Sequence, residues 1–239
     1  MKKTIGAVLI VVLLVSGLLL GCGITVSGSG NLETREMDFS GFTGIEASHG
    51  FKVEITQSDS YKVSITADDN LFDDHLRVSK SGDTLKIGLK SPNIYTSVTV
   101  KAKITMPDLH ELGLSGGSIA SVTGFSSTHD FSAKLSGGSQ ISGDITAGDT
   151  KFDLSGGSRV NLKGAADDLD VQGSGGSQLD LGNFTVDNAD IKLSGGGKAT
   201  INVDGTLSVS LSGGSKVLYI GKPTMGDIDM SGGSTISPK

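Results

Sequence analysis

A four-residue motif constrains this chain more than anything else in its 239 residues. Ser-Gly-Gly-Ser, once written Ser-Gly-Gly-Gly, begins at Ser115, Ser136, Ser155, Ser174, Ser194, Ser212 and Ser231, in steps of 21, 19, 19, 20, 18 and 19 residues. Repetition at so short and steady a period marks units that stack on one another. Three positions before each motif stand Leu112, Ala133, Phe152, Val171, Ile191, Val209 and Ile228, all apolar, and the next position is mostly polar. Five positions after each motif begins, a second apolar column reads Ala120, Ile141, Val160, Leu179, Ala199, Val217 and Ile236. Alternation of this kind is that of half-buried strands. A looser third segment completes each unit, as in ITAGD (145–149) or FTVDN (184–188), and no stretch in the repeats carries a helical apolar period.

Two or three short strands in about 19 residues make one coil of a parallel β-solenoid, so the expected fold is all-β, a right-handed parallel β-helix. A single coil cannot bury enough apolar surface to offset the entropy of ordering its backbone, and only neighbouring coils close the core. Because stacked coils must all follow one path, the Gly-Gly pairs read as corners: glycine enters the φ > 0 region without a Cβ penalty. The flanking serines are suited to bonding local backbone groups and to forming two hydroxyl ladders. An exposed Ser/Gly groove that binds sugar or peptide is the functional alternative for the same residues. Aromatic residues make up 5% of the chain and Trp is absent, which suits a thin aliphatic core.

The chain begins MKKTIGAVLIVVLLVSGLLLGC, a positive start, an apolar run from Ile5 to Leu20 and small residues before a cysteine. That is the layout of an export signal, and Leu19 to Cys22 resembles the lipobox at which a signal is cut before a diacylglycerol-bearing cysteine. Cys22 is the only cysteine, so it has no internal disulfide partner. Residues 1–21 are therefore expected to be a signal peptide and 22–31 a lipidated cysteine with a flexible tether. Acyl chains on Cys22 would hold the protein to the cell membrane or, since Gly23 rather than aspartate follows, to the outer membrane of a Gram-negative host. Loss of Lys2 and Lys3 with the signal moves the net charge from −6 to −8. An acidic chain without a basic run is a poor partner for nucleic acid.

From residue 32 to 110 the motif is absent, yet FKVEITQ, YKVSITA, DTLKIGLK and SVTVKAKITM alternate like strands, with turn signals at Ser79–Thr84 and Lys90–Asn93. This region is expected to form wider first coils or a cap over the solenoid, with residues 111–239 as the repeat proper. ADDNLFDDHL (67–76) has room for one helical turn. Little sequence follows Ile236 to cover the last coil, whose strand edges would invite pairing with another chain, which leaves a homo-oligomer open.

GFTGIEASHGFKVEITQ (41–57), TLKIGL (84–89) and the serial LSGGS turns (as at Leu135–Ser139) resemble the bacterial family called putative auto-transporter adhesin head, GIN domain, over roughly Phe39 to Ser234. The resemblance implies an all-β solenoid on secreted or lipid-anchored envelope proteins and brings no catalytic residues with it.

The letters spell no familiar catalytic or metal-binding signature. Calcium repeats need an Asp at fixed spacing among the glycines, which is missing, and no GxxxxGK[ST] string occurs. Asp153 and Asp229 share a column but sit four coils, about 20 Å, apart at the usual strand spacing. Asp167, Asp168 and Asp170 read as a solvated loop. His49, His75, His110 and His129 show neither HxH nor HxxxH spacing, so neither a metal site nor a cofactor is expected. The leading expectation is a lipid-anchored, non-catalytic, adhesin-like module of the cell envelope that binds a glycan or protein. Its candidate binding face is the polar column Gln140, Arg159, Gln178, Lys198 and Lys216. A polysaccharide-processing enzyme on a β-helix scaffold, or a structural or signalling partner of an envelope protein, are the alternatives.

Overall fold

Both apolar columns align in the structure, a computed structural model that describes residues 24–239. The expected signal peptide and Cys22 lie outside those residues. On the face upstream of each corner, Leu112, Ala133, Phe152, Val171, Ile191, Val209 and Ile228 pair in unbroken parallel register. On the face downstream of it, Ala120, Ile141, Val160, Leu179, Ala199, Val217 and Ile236 do the same. The residues of both columns are buried until the last lap. The core is thus a thin stack of aliphatic side chains between two parallel sheets, as the composition requires.

A third side closes the coil. In the middle laps the strands Arg159–Gly173 and Gln178–Leu193 run without a break from the downstream face, across this side, to the upstream face. Buried Ala166, Val186 and Val203 stack there. The expectation of a loop at Asp167, Asp168 and Asp170 is corrected by this: all three lie in the strand Arg159–Gly173. The reason is a ladder of Asx side chains at the second corner. Asp130 Oδ1 accepts the Asp149 N–H at 3.0 Å, Asp149 Oδ1 the Asp168 N–H at 3.3 Å, and Asp168 Oδ1 an Asn188 Nδ2–H at 2.9 Å. Each carboxylate or amide holds the lap above it.

The Gly-Gly corners stack lap on lap. The first serine of each motif donates its N–H to the residue before the preceding corner, as Ser136 does to Leu114 and Ser174 to Leu154, both at 2.9 Å. The first glycine is left-handed in all seven, from φ 60° at Gly116 to 83° at Gly195. At the first two corners the second glycine is left-handed too (Gly117 76°, Gly138 81°), the φ pattern of a type I′ turn. From Gly156 onward only the first is. From Gly176 onward a new bond appears: the second glycine's N–H donates to the first glycine one lap below, as Gly196 does to Gly175 at 2.8 Å and Gly214 to Gly195 at 2.6 Å. A Cβ on Gly213 would stand 2.5 Å from the Gly195 carbonyl oxygen. The second serine faces inward: Ser118, Ser139, Ser158, Ser177 and Ser215 are buried, and each hydroxyl donates to its own first serine's carbonyl at 2.6–2.9 Å. The expected local bonding is present. It ties each corner to itself and is not a hydroxyl-to-hydroxyl ladder.

The N-terminal third forms both coils and a cap. Gly44–Ala47 and Lys52–Gln57 make a lap whose corner is Ser48-His49-Gly50, with φ of 63° and 76° at His49 and Gly50 that match the Gly116–Gly117 pair. It is an eighth corner in the same column, since Ser115 N–H donates to the Ala47 carbonyl at 3.0 Å. The next lap, Thr84–Leu89 with Val100–Met106, is laid on the outer side of this one, and Glu111–Leu114 with Ile119–Ser126 on its inner side. The chain therefore backtracks once before it winds steadily. Antiparallel strands Lys62–Asp68, Leu32–Met37 and Leu76–Ser81 then finish the outer end. The helical turn expected in 67–76 is a single 3₁₀ turn, Asp69–Leu71.

The tether expectation is also corrected. Thr25–Ser27 pairs with Ile94–Thr96 in a two-stranded parallel sheet, and Gly30 N–H donates to Asp68 Oδ1 at 2.7 Å. Asp68 is 1% exposed, and a buried carboxylate must be hydrogen-bonded. It takes one donor from Gly30 and another from Thr99 N–H at 2.6 Å, which locks the segment down. At the opposite end the last lap is bare, with Met225, Ile228 and Met230 between 41% and 44% exposed.

If the corners work as described, two glycines three laps apart should respond differently to alanine. Gly213→Ala forces a left-handed alanine against a carbonyl and should lose at least about 1–2 kcal/mol of unfolding free energy. Gly157 has no neighbour within 4 Å of a Cβ and is not left-handed, so Gly157→Ala should stay within about 0.5 kcal/mol of the parent. Urea unfolding of the two variants checks both values.

Candidate functional site

Outward-facing positions also stack, and this sorts the charges of the surface into columns. Gln140, Arg159, Gln178, Lys198 and Lys216 are direct register partners on successive laps of the downstream face. The structure brings all five together in the expected order, and four are exposed while Gln140 is half-buried. Arg159 Nε donates to Gln178 Oε1 at 3.5 Å, the longest of contacts. The column also continues where the repeat motif does not reach. Ile119 pairs with Lys52, and Lys52 with Lys101. Five cations, Lys101, Lys52, Arg159, Lys198 and Lys216, thus share a line free of acids, on a chain of net charge −6. In the column beside it the acids are Glu54, paired with Lys103 at 3.2 Å, and Asp180.

The upstream face has the opposite character. Lys134, Asp153, Gln172, Lys192, Ser210 and Asp229 follow one another in register, and Lys86 meets Glu46 at 2.8 Å lower in the same column. The neighbouring column holds Lys151 and Asp170, 2.8 Å apart. That hydrogen bond lifts the half-buried Lys151 ammonium above its ordinary value. Between the Lys134 column and the first serines of the corners runs an open groove of about 610 Å³, lined by Ser136, Ser155, Ser174, Ser194 and Ser212. The corner and groove readings of the motif are therefore compatible. The glycines and the inner serine shape the turn, and the outer serine faces a groove.

A third feature has no counterpart in the sequence expectations. Asp108 and His110 sit on the connection that carries the chain from Val100–Met106, past the first lap, to Glu111–Leu114. His129 sits on the corner between Ile119–Ser126 and Phe131–Leu135. Asp108 Oδ2 lies 2.9 Å from His110 Nε2 and 2.6 Å from His129 Nδ1, and it also accepts the Ser127 hydroxyl at 3.2 Å. The two imidazoles are 4.9 Å apart, centroid to centroid. Burial by itself pushes the Asp108 carboxyl up, but hydrogen bonds from His110 and His129, with the Leu109 N–H, outweigh it and hold the carboxyl below the ordinary carboxylate range. The four histidines are therefore not all scattered. The usable signal was the 21-residue separation of Asp108 and His129, the length of this lap, as between Leu112 and Ala133; the HxH and HxxxH spacings belong to strands and helices. His49 and His75 stay apart from this cluster, each edge-on to Tyr95.

Comparison with known proteins agrees with this architecture. A family described as "Putative auto-transporter adhesin, head GIN domain" matches residues 41–223. No match is found among proteins with curated descriptions. Among solved structures, a putative adhesin from Bacteroides fragilis superposes with a TM-score of 0.81 at 21% identity, over 88% of this chain and 98% of that one. A structure named as a putative lipid binding protein from Parabacteroides distasonis gives 0.68 at 21% identity, over 89% and 98%. A putative adhesin from Parabacteroides merdae gives 0.60 at 20% identity, over 90% and 98%. At these identities the shared property is the fold.

Proposed function

The chain belongs to the auto-transporter adhesin head GIN family, and we propose that it is a non-catalytic binding module held at the cell envelope by lipid on Cys22, with the basic column as its docking face. The observation that carries this reading is the line of cations on an acidic protein. Strands about 4.8 Å apart repeat the same outward position on every lap, so Arg159, Lys198 and Lys216 present donors at whole multiples of that spacing along one line, with Gln178 between the first two. An extended polymer with regularly placed anionic groups, such as an acidic glycan, is the ligand such a path fits. Long-range attraction from the column would favour its capture. Among the described residues none of the three forms an ion pair, which supports a binding role over a structural one, because their charges are not neutralised there. An enzymatic reading finds less support: the acids of the upstream face are paired with lysines or spread along the rod, as Lys151–Asp170 and Lys192–Asp190 illustrate.

Purified residues 23–239 should bind acidic glycans on an array, and binding should fade with added salt, as expected of exposed charges. At about 0.2–1 kcal/mol for each exposed pairing, the triple substitution Arg159→Ala, Lys198→Ala, Lys216→Ala should weaken binding roughly 3- to 150-fold while leaving the unfolding midpoint close to the parent's. Unchanged affinity would remove the column as the docking face, and turnover of any glycan would remove the non-catalytic reading. The anchor is checked separately: cells fed a palmitate analogue should label the parent protein, and Cys22→Ala should abolish the label.

A further inference from the structure

We infer that Asp108, His110 and His129 form a binding site for a divalent transition-metal ion, zinc foremost. Three ligands converge here from two different laps: one carboxylate oxygen and two imidazole nitrogens, with their ligand atoms all within 4.8 Å of one another. One oxygen, Asp108 Oδ2, faces both imidazole nitrogens and the Ser127 hydroxyl at once. As a pure hydrogen-bond cluster this crowds three donors onto a single acceptor, with Ser127 Oγ also 3.0 Å from His129 Nδ1. A cation at their centre removes the crowding, because each imidazole then carries its proton on the other ring nitrogen and turns a lone pair inward. In a tetrahedral site with bonds near 2.0–2.1 Å, ligand atoms sit about 3.3 Å apart. The observed 2.9 and 2.6 Å separations therefore need to open by about 0.4 and 0.7 Å.

The backbone beneath the ligands is fixed, so the opening is confined to side-chain rotation. His110 N–H donates to the Thr43 carbonyl at 2.8 Å, the His110 carbonyl accepts from Ser132 at 2.8 Å, and the His129 carbonyl accepts from Gly148 at 2.9 Å. Two nitrogens and one carboxylate select zinc and its neighbours over calcium and magnesium, which take oxygen ligands. Three protein ligands leave a fourth position, and the His129 side chain, 64% exposed, places it at the surface, where water or a donor group of a bound partner completes the shell. The ion would also clamp the backtracking connection to the lap that follows it. This inference is independent of the basic column, which lies on a different face.

The test uses tag-free residues 23–239 stripped with chelator. Titration with Zn²⁺ should show one saturable equivalent and a raised unfolding temperature, by mass action on the folded state. Co²⁺ in its place should give the intense visible bands of a tetrahedral site. Calcium and magnesium should produce neither effect. Loss of a ligand should weaken binding by no less than the about 10–100-fold that loss of a ligand's supporting partner costs. His129→Gln is the primary variant, since its exposed side chain can change without disturbing the fold, and His110→Gln is the second. His75→Gln, away from the cluster, should bind like the parent. Absence of a saturable equivalent, or Zn²⁺ binding that survives both His129→Gln and His110→Gln in folded protein, overturns the site.

Discussion

Parallel stacking allows no lap to differ from its neighbours in path, and every other property of this molecule follows from that restriction. Two aliphatic columns can be buried on each lap only if the chain turns at the same height each time, with the backbone of one corner lying directly on the next. The amide of Gly214 reaches the Gly195 carbonyl at 2.6 Å, a distance at which no side chain fits between them. A left-handed residue without a Cβ meets both needs at once. The inner serine then satisfies the corner's own carbonyl inside the core, where an unmet acceptor would be costly.

The same restriction explains which features could be read from the letters. Residues that recur at the lap period are legible, because the period is the contact distance: the two apolar columns and the polar column from Gln140 to Lys216 all fall where spacing places them. Features that break the period are not. Ser48-His49-Gly50 turns like the other corners but carries a histidine where they have glycine, so no motif search finds it. The outer position of the Thr84–Leu89 lap is invisible too, since alternation marks a strand without naming its neighbour. Asp167, Asp168 and Asp170 looked like loop residues because acids seldom favour strands, yet Asp168 is held in one by the side-chain ladder that runs through Asp149 and Asn188. The segment from Thr25 to Asn31 looked free because its partner, the buried carboxylate of Asp68, lies some 40 residues away.

Stacking also organises the surface. On a globular protein, oppositely charged side chains mix and their fields largely cancel. Here each outward position is copied along the rod, so a column keeps whatever character its residues give it. The upstream face alternates lysine and acid and is internally neutralised, whereas the line through Lys52, Arg159 and Lys198 contains cations without acids. One acidic molecule thereby acquires two faces of different electrostatic character, separated by a thin aliphatic core.

The single backtrack near the amino terminus governs how the rod can come apart. Elsewhere each lap touches only segments about 20 residues away, so a solenoid of this kind could unwind one lap at a time from a free end. The lap of Gly44–Ala47 and Lys52–Gln57 is instead enclosed by chain synthesised after it on both sides. It cannot peel away until an outer neighbour has left, nor settle until that neighbour has been made. The arrangement works as a knotless latch: stepwise fraying belongs to the carboxy-terminal end, while the amino-terminal end is released as a block.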